Sequence, residues 1–290
     1  MQTSMRVEDA LEKAIARAQD TGAPPRLASA LRYAVFPGGH RIRPQLVLAV
    51  ARACGDKDPA AADAAAAAIE LMHCASLVHD DLPCFDDADM RRAKPSVHLQ
   101  FGEPIAVLTG DALIVLAFET VARGAKRSAS RMSSLLTILA DAVGSPKGIV
   151  AGQAWECEAA VSLSDYQRAK TGALFVGSTL AGAAAAGVDQ TPWRTLGEKI
   201  GEAYQVADDL RDVLCDAAEL GKPIGQDAVR SRPNAAAELG IGGAKSRLVE
   251  LVDAAVGSIP DCPGAVELRK LIRAQTMQFF PKQLAAAVAA

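Results

Sequence analysis

Carboxylates crowd two short stretches of this chain. The first is HDDLPCFDDADMRR, which carries Asp80, Asp81, Asp86, Asp87 and Asp89 and runs directly into Arg91 and Arg92. The second is YQVADDLRDV, with Asp208, Asp209 and Asp212. Asp208 and Asp212 stand one helical turn apart, so a helix stacks them on one face, where like charges cost roughly a few tenths of a kcal/mol. The flanking Val206, Ala207, Leu210 and Val213 make that face partly buried and raise the cost. Positive charge must offset it. Hard carboxylate oxygens suit Mg²⁺, which takes one or two carboxylates, keeps waters and completes its shell with substrate phosphates. In the first stretch, Asp80 and Asp86 would lie about 240° apart on an unbroken helix. Pro83 removes a backbone donor and disfavours helix at the residue before it, so the chain can bulge there. If two residues loop out, Asp86 returns to the position one turn after Asp80. A solvated acidic face is the plain alternative for either stretch alone; two such stretches on apolar helices argue against it. A calcium loop fits poorly, because neither stretch has the glycine and terminal glutamate of that motif.

A site for metal and diphosphate needs cations as well, and they come in short packets. GGHRIRP, Gly38–Pro44, sets Arg41 and Arg43 after a glycine pair that permits close backbone approach, although a basic helix start on the surface reads the same way. Arg91 and Arg92 either face an anion or neutralise the aspartates before them. Lys170 and Thr171 open KTGALF, and Lys222 lies in LGKP. His73 precedes Asp80 by two helical turns and shares its face, with a satisfied core histidine as the alternative. His79 adjoins the acidic pair and reads as structural.

These residues have to be positioned by helices. Ala, Leu, Glu, Lys and Arg dominate, alternating β patterns are scarce, and apolar residues recur at spacings of three and four, as in Leu11, Ile15 and Ala18. Breaks fall at Thr21–Pro25, Phe36–Gly39, Gly55–Pro59, Gly102–Pro104, Gly144–Gly148, Gly187–Pro192 and Gly221–Gly225. The expectation is a single all-α domain over residues 1–290, with two helical domains joined near Gly144 as the alternative. The alanine tract Pro59–Ile69 leads straight into the first acidic stretch. The uncharged run Gly172–Val188 is too short for a membrane span and reads as a buried helix. With 290 residues, 50% hydrophobic and 22% charged, the chain is neither disordered nor fibrous. A net charge of −3 offers no basic field for nucleic acid. Six cysteines form no CxxC pair, and MQTSMRVEDALEKAIARAQD is amphipathic without the apolar core of an export signal. A cytoplasmic location with free thiols and no stable membrane insertion is therefore expected.

HDDLPCFDDADMRR, GGHRIRP, KTGALF, GQAWE and YQVADDLRD with LGKP together resemble the trans-isoprenyl diphosphate synthases, from about Arg32 to Asp227 in order and spacing. The DDLPCFDD and DDLRDV wordings are similar to those of bacterial geranylgeranyl diphosphate synthases of carotenoid or photosynthetic-pigment pathways. The resemblance implies an all-α isoprenoid-synthase-type bundle around a deep central cavity, usually a homodimer. It implies that Asp80 and Asp86 hold two Mg²⁺ and Asp208 a third, with Asp81, Asp209 and Asp212 in support. Arg91, Lys170 and Lys222 would grip an allylic diphosphate. Arg43, His73 and Arg92 would bind the diphosphate of isopentenyl diphosphate, with His40 and Arg41 of the same motif beside them. Thr171 and Gln205 would turn oxygen dipoles to a developing carbocation. Three positions depart from the family pattern. His40 replaces a lysine, Glu156 replaces an aspartate after Gln153, and the loop after Lys222 lacks its lysine, leaving Arg230 or Arg232 as substitutes. The terminal QLAAAVAA has no basic residue after Lys282 and is assigned no substrate contact.

The implied chemistry suits these residues. Clustered cations and divalent ions stabilise a leaving diphosphate, and the isopentenyl double bond attacks the resulting allylic cation. No nucleophilic serine or cysteine is needed, and no GxSxG motif occurs. Ala75, about 7.5 Å back along the helix from Asp80, stands where relatives that stop at fifteen carbons carry a bulky aromatic. Alanine there leaves room for a fourth isoprene unit, with Met72 and the helix around Val115 shaping the floor, so geranylgeranyl diphosphate is the expected product. Farnesyl diphosphate synthesis, a class I terpene cyclase and a non-catalytic regulatory partner are the alternatives. A cyclase normally carries an NSE-type motif and many aromatics, against DDLRD and 4% here, and a regulatory partner usually lacks one aspartate motif.

Overall fold

The computed structural model describes residues 2–36, 38–158, 162–214 and 235–277. Lys222, Arg230, Arg232 and the terminal QLAAAVAA lie outside the described residues. Helices make up almost all of the rest: α1 (Gln2–Ala18), α2 (Pro25–Val35), α3 (Ile42–Ala53), α4 (Pro59–Asp80), α5 (Val97–Phe101), α6 (Glu103–Gly124), α7 (Ala129–Val143), α8 (Ile149–Trp155) and α9 (Leu163–Gln167). A π-helical turn, Arg168–Gly172, leads into α10 (Ala173–Ala186), then α11 (Arg194–Leu214), α12 (Ala235–Gly257, kinked at Gly240) and α13 (Ala265–Met277). The sheet among the described residues is one small hairpin, β1 (Met90–Arg91) and β2 (Lys94–Pro95), pairing Met90 with Pro95 and Arg91 with Lys94. The fold is all-α, as the residue periodicities predict.

Two helices lie at the centre because their sequences are apolar on nearly every side. The alanine tract forms the first half of α4; Asp58 accepts from Ala61 N–H at its start, and Pro59 supplies a preset φ. Asp58 also receives Arg127 and Arg131, which ties α7 to the base of α4. The second central helix, α10, is the uncharged run and is buried as expected. It ends where Gly187 turns left-handed at φ 77°. Around α4 and α10 pack α3, α6, α7 and α11, and one continuous apolar core runs from Val7 in α1 to Ile272 in α13.

Pro59–Asp80 and Glu103–Gly124 are long and apolar enough to cross a membrane by length and composition. For α4 that reflects burial inside the protein. By contrast α6 presents Val107, Leu108 and Val115 to solvent.

Candidate active site

The first wall of the site is the end of α4. Its last turns present His73, Ser76 and Asp80 along one face, and the helix stops at Asp80. The chain then turns: Leu82 N–H reaches His79 O, Phe85 N–H reaches Leu82 O, and Asp86 N–H reaches Asp80 O at 2.9 Å. The bulge expected from Pro83 is thus a tight loop that closes Asp86 back onto Asp80. The Asp80 carboxylate is 16% exposed and accepts from Gln153 Nε2 at 2.8 Å and Lys170 Nζ at 3.2 Å.

Asp81 turns the other way. It is 2% exposed and takes Arg91 Nε on both oxygens, at 3.0 and 3.2 Å, together with Arg91 Nη2. Burial pushes the Asp81 pKa up, with Arg91 opposing it; burial also opposes the charge on Arg91, but Asp81, Asp80 and Asp86 hold that guanidinium above its usual value. His79, the structural histidine, bonds through Nε2 to Val107 O on α6.

The basic centre lies between α3, α4 and the hairpin. Arg43 stacks its guanidinium 4.4 Å from the Phe175 ring centroid and 5.5 Å from that of Tyr204. Its Nε is buried with no hydrogen-bond partner among the described residues. Burial lowers its pKa, and it feels Glu70, Arg92 and Asp208. His73 is held well below the usual imidazole range, first by burial and then by Arg43, Arg92, Arg91 and Arg41, so it is neutral at pH 7. Arg92 sits on the hairpin at φ 52°, its Nη2 3.9 Å from Glu70 Oε1. A neutral imidazole between arginines, with a buried donor unused, is a pocket built for an anion.

Arg41 does not join it, contrary to the expectation that it binds substrate. Only 5% exposed, it donates through Nε to Glu8 at 2.9 Å, Nη1 to Glu70 at 2.7 Å and Nη2 to Val35 O at 2.8 Å. It is a strut joining α1, α2 and α4, and it adopts the left-handed φ of 51° at the cap of α3. A Cβ on Gly38 would fall 2.0 Å from Arg41 Cζ, so only glycine lets the loop fold over that guanidinium. His40 is exposed on the same loop. Sequence reasoning missed Glu70, the buried carboxylate shared by Arg41 and Arg92. The signal was available: Glu70 and Asp63 are the acids interrupting an otherwise apolar Pro59–Met72 run.

The second wall is the π-helical turn and α11. A π turn shifts side chains out of helical phase and is common at functional sites. Here it sets Lys170 Nζ on Glu156 at 2.8 Å as well as on Asp80, with Tyr166 Oη donating to the same Glu156 oxygen at 2.6 Å. Glycine at 152 lets α8 lie against this turn, because a Cβ there would fall 2.4 Å from Lys170 N. Thr171 Oγ1 donates to Gln205 Oε1 at 3.0 Å, and Gln205 Nε2 donates to Asp209 Oδ1 at 2.9 Å. Asp208 is partly exposed and accepts from Arg211 Nη1 at 3.5 Å; Asp212, one turn further, is half-buried.

Two of the six carboxylates expected around metal are therefore turned into the protein. Asp81 is committed to Arg91. Asp209, 2% exposed, accepts from Gln205 and from the backbone N–H of Ala235 at 2.8 Å. Neighbouring residues on a helix diverge by about 100°, so a DD pair cannot turn both carboxylates to one site. No three metal-binding side chains converge on one point among the described residues. That still suits magnesium, which takes one or two carboxylates and fills its shell from substrate and water. Asp80, Asp86 and Asp208 fit such a role.

This combination of fold and site defines a class. A polyprenyl synthetase family model matches residues 24–266, and the chain belongs to that family. It is 56% identical over 99% of its length to the geranylgeranyl diphosphate synthase of Cereibacter sphaeroides, covering 100% of that protein. It is 50% identical to the geranylgeranyl diphosphate synthase of Rhodobacter capsulatus over 94% of each chain. Among solved structures it resembles a geranyltransferase of Helicobacter pylori complexed with magnesium and isoprenyl diphosphate, at a TM-score of 0.79 and 28% identity over 95% of this chain and 97% of that one.

Proposed function

We propose that this chain is a geranylgeranyl diphosphate synthase, acting as one polyprenyl synthase domain. It condenses isopentenyl diphosphate head-to-tail with an allylic diphosphate and releases diphosphate. The observation that carries the reading is Lys170 bridging to Asp80 across the cleft, beside the Arg43–His73–Arg92 pocket with its unused buried donor. The C–O bond of the allylic diphosphate breaks and its electron pair leaves with the diphosphate. The isopentenyl π electrons form the new C–C bond, and a proton passes to the departing diphosphate. Arg91 and Lys170 hold the allylic diphosphate, while Arg43, His73 and Arg92 hold that of isopentenyl diphosphate; Lys222 belongs with the first group. Magnesium at Asp80, Asp86 and Asp208, three ions in all, would supply the remaining positive charge, with Asp212 supporting Asp208.

The product tail runs from Asp80 toward the start of α4. A small cavity lies on that route, lined by Ala65, Ala68 and Ile69 of α4, Val121 of α6, Leu135 of α7 and Ala181 of α10. Ala75 is buried and lies about 140° around the helix from Asp80. It shares the face where His79 meets Gly110 and Ala64 meets Gly124, which is the face packed on α6. Ala75→Tyr therefore drives a ring between α4 and α6 and shortens the product to farnesyl diphosphate; an unchanged product would defeat the assignment. The exposed Val107, Leu108 and Val115 of α6 suit burial against a second copy, in a cytoplasmic homodimer. The deciding experiment incubates the protein with Mg²⁺, labelled isopentenyl diphosphate and each allylic primer, then separates the dephosphorylated products. A twenty-carbon alcohol is expected. A fifteen-carbon end product would reassign chain length, and no condensation would overturn the reading.

A further inference from the structure

A chain of hydrogen bonds crosses the second wall from the π-helical turn to the start of α12, and its direction is set at one end. Both Asp209 oxygens are engaged: Oδ1 accepts from Gln205 Nε2 at 2.9 Å, and Oδ2 accepts from Ala235 N–H at 2.8 Å. With both carboxylate oxygens accepting, Gln205 turns its amino group toward Asp209 and its carbonyl toward Thr171. Facing a carbonyl at 3.0 Å, the Thr171 hydroxyl has to donate, which leaves its oxygen lone pairs directed elsewhere. Thr171 stands between Lys170, whose ammonium reaches Asp80, and Gln205, one turn before Asp208 and Asp209.

We propose that Asp209 is a positioning residue for carbocation formation: it polarises the Gln205–Thr171 chain so that oxygen lone pairs, not hydrogens, face the allylic cation. This rests on the prenyltransferase reading and deepens it. Fixed dipoles aimed at developing charge cost no reorganisation at the moment of reaction, so their direction matters as much as their presence. The buried Asp209 is thus a residue of the acidic motif that serves the reaction without holding metal.

Asp209→Asn tests the direction, and the paired change at Gln205 separates it from any other effect of the substitution. The new side chain keeps an oxygen for Ala235 N–H, and asparagine caps a helix about as well as aspartate. Toward Gln205, however, it presents an amino group. Gln205 must then reverse, and Thr171 accepts from it and turns its own hydrogen outward. The expected result is a kcat lower by roughly 100-fold, the scale of losing one aimed dipole. KM for isopentenyl and farnesyl diphosphates stays within about twofold, and the melting temperature is unchanged. Adding Gln205→Glu to Asp209→Asn restores the sense at the same net charge, because the carboxylate at 205 accepts from both the asparagine amide and Thr171. That pair should recover kcat at least about tenfold over the single variant. A merely structural Asp209 would not be rescued by a change at 205. Wild-type kcat in Asp209→Asn, or no recovery in the pair, overturns the proposal while an active wild type leaves the prenyltransferase reading standing. An inactive wild type would overturn that reading itself.

Discussion

The two acidic motifs begin with the same DD pair and are built on different backbones. At Asp80 the helix ends and the chain loops so that Asp86 N–H closes on Asp80 O; at Asp208 the helix runs on to Leu214. Yet the division of labour is the same. The leading aspartate keeps solvent access, and the second is buried as an anchor. Asp81 anchors through a charged donor, Arg91, and thereby fixes the hairpin that carries Arg92. Asp209 accepts from Gln205 and from the Ala235 N–H, which ties α11 to the start of α12. Removing the carboxylate that pairs Arg91 and removing the one that receives Gln205 and the Ala235 N–H should have different consequences, which makes the comparison testable.

The largest effect belongs to the leading pair. Asp80→Ala and Asp208→Ala should each lower kcat by roughly 1,000-fold or more in a steady-state assay, because each removes charge needed at the diphosphate. Equal activity in either variant would break the assignment of the leading positions. Next comes Asp81→Ala, which strands the mostly buried Arg91; unfolding in urea should show a loss of about 3 kcal/mol, the low end for a broken buried pair because Arg91 keeps some water. Asp209→Ala removes the hydrogen bonds from Gln205 and from the Ala235 N–H at the start of α12, and should cost about 1 kcal/mol in the same assay. If the two losses were equal, the contrast between the anchor on Arg91 and the anchor on Gln205 and Ala235 would fail.

The smallest effect is a pH dependence in the pocket between the walls. His73 has a folded pKa below its unfolded value of about 6.5, so below that pH the unfolded chain binds the extra proton. Stability from His73 is therefore present above pH 6.5 and lost as pH falls through the interval down to the folded pKa. Going from pH 7.5 to 5.5 should destabilise the ligand-free protein by about 1 kcal/mol through this group, a slope that His73→Gln removes. Inorganic diphosphate should reduce the slope, since an anion among these arginines favours a protonated imidazole.

Much of the fold could be read in advance because helical periodicity and breakers are local. The alanine tract became the first half of α4, Gly187 closed α10, and Gly144–Gly148 separated α7 from α8. Pro83 marked where the helix could break, and the loop there closes Asp86 N–H on Asp80 O. Arg41 was misread for a physical reason: its motif spacing matches that of Arg43, but its partners Glu8 and Glu70 come from other helices. Glu70 was overlooked because an acid in an apolar helix signals that it must be paired but does not say which arginines, Arg41 and Arg92 here, will meet it. The π-helical turn was equally invisible, since residues 168–172 carry no breaker beyond one glycine.

Residue order determined that this protein would be helical, which side chains would carry charge, and that such charges suit a site for metal and diphosphate. Those properties depend on composition and on spacing within a turn or two. Tertiary structure decided which aspartate of each pair meets the cleft, which arginine becomes a strut, and that Lys170 would span 90 residues to touch Asp80. Burial and partnership are set by segments distant in sequence, and a carboxylate acquires its role only when packing decides whether water, a cation or an amide faces it.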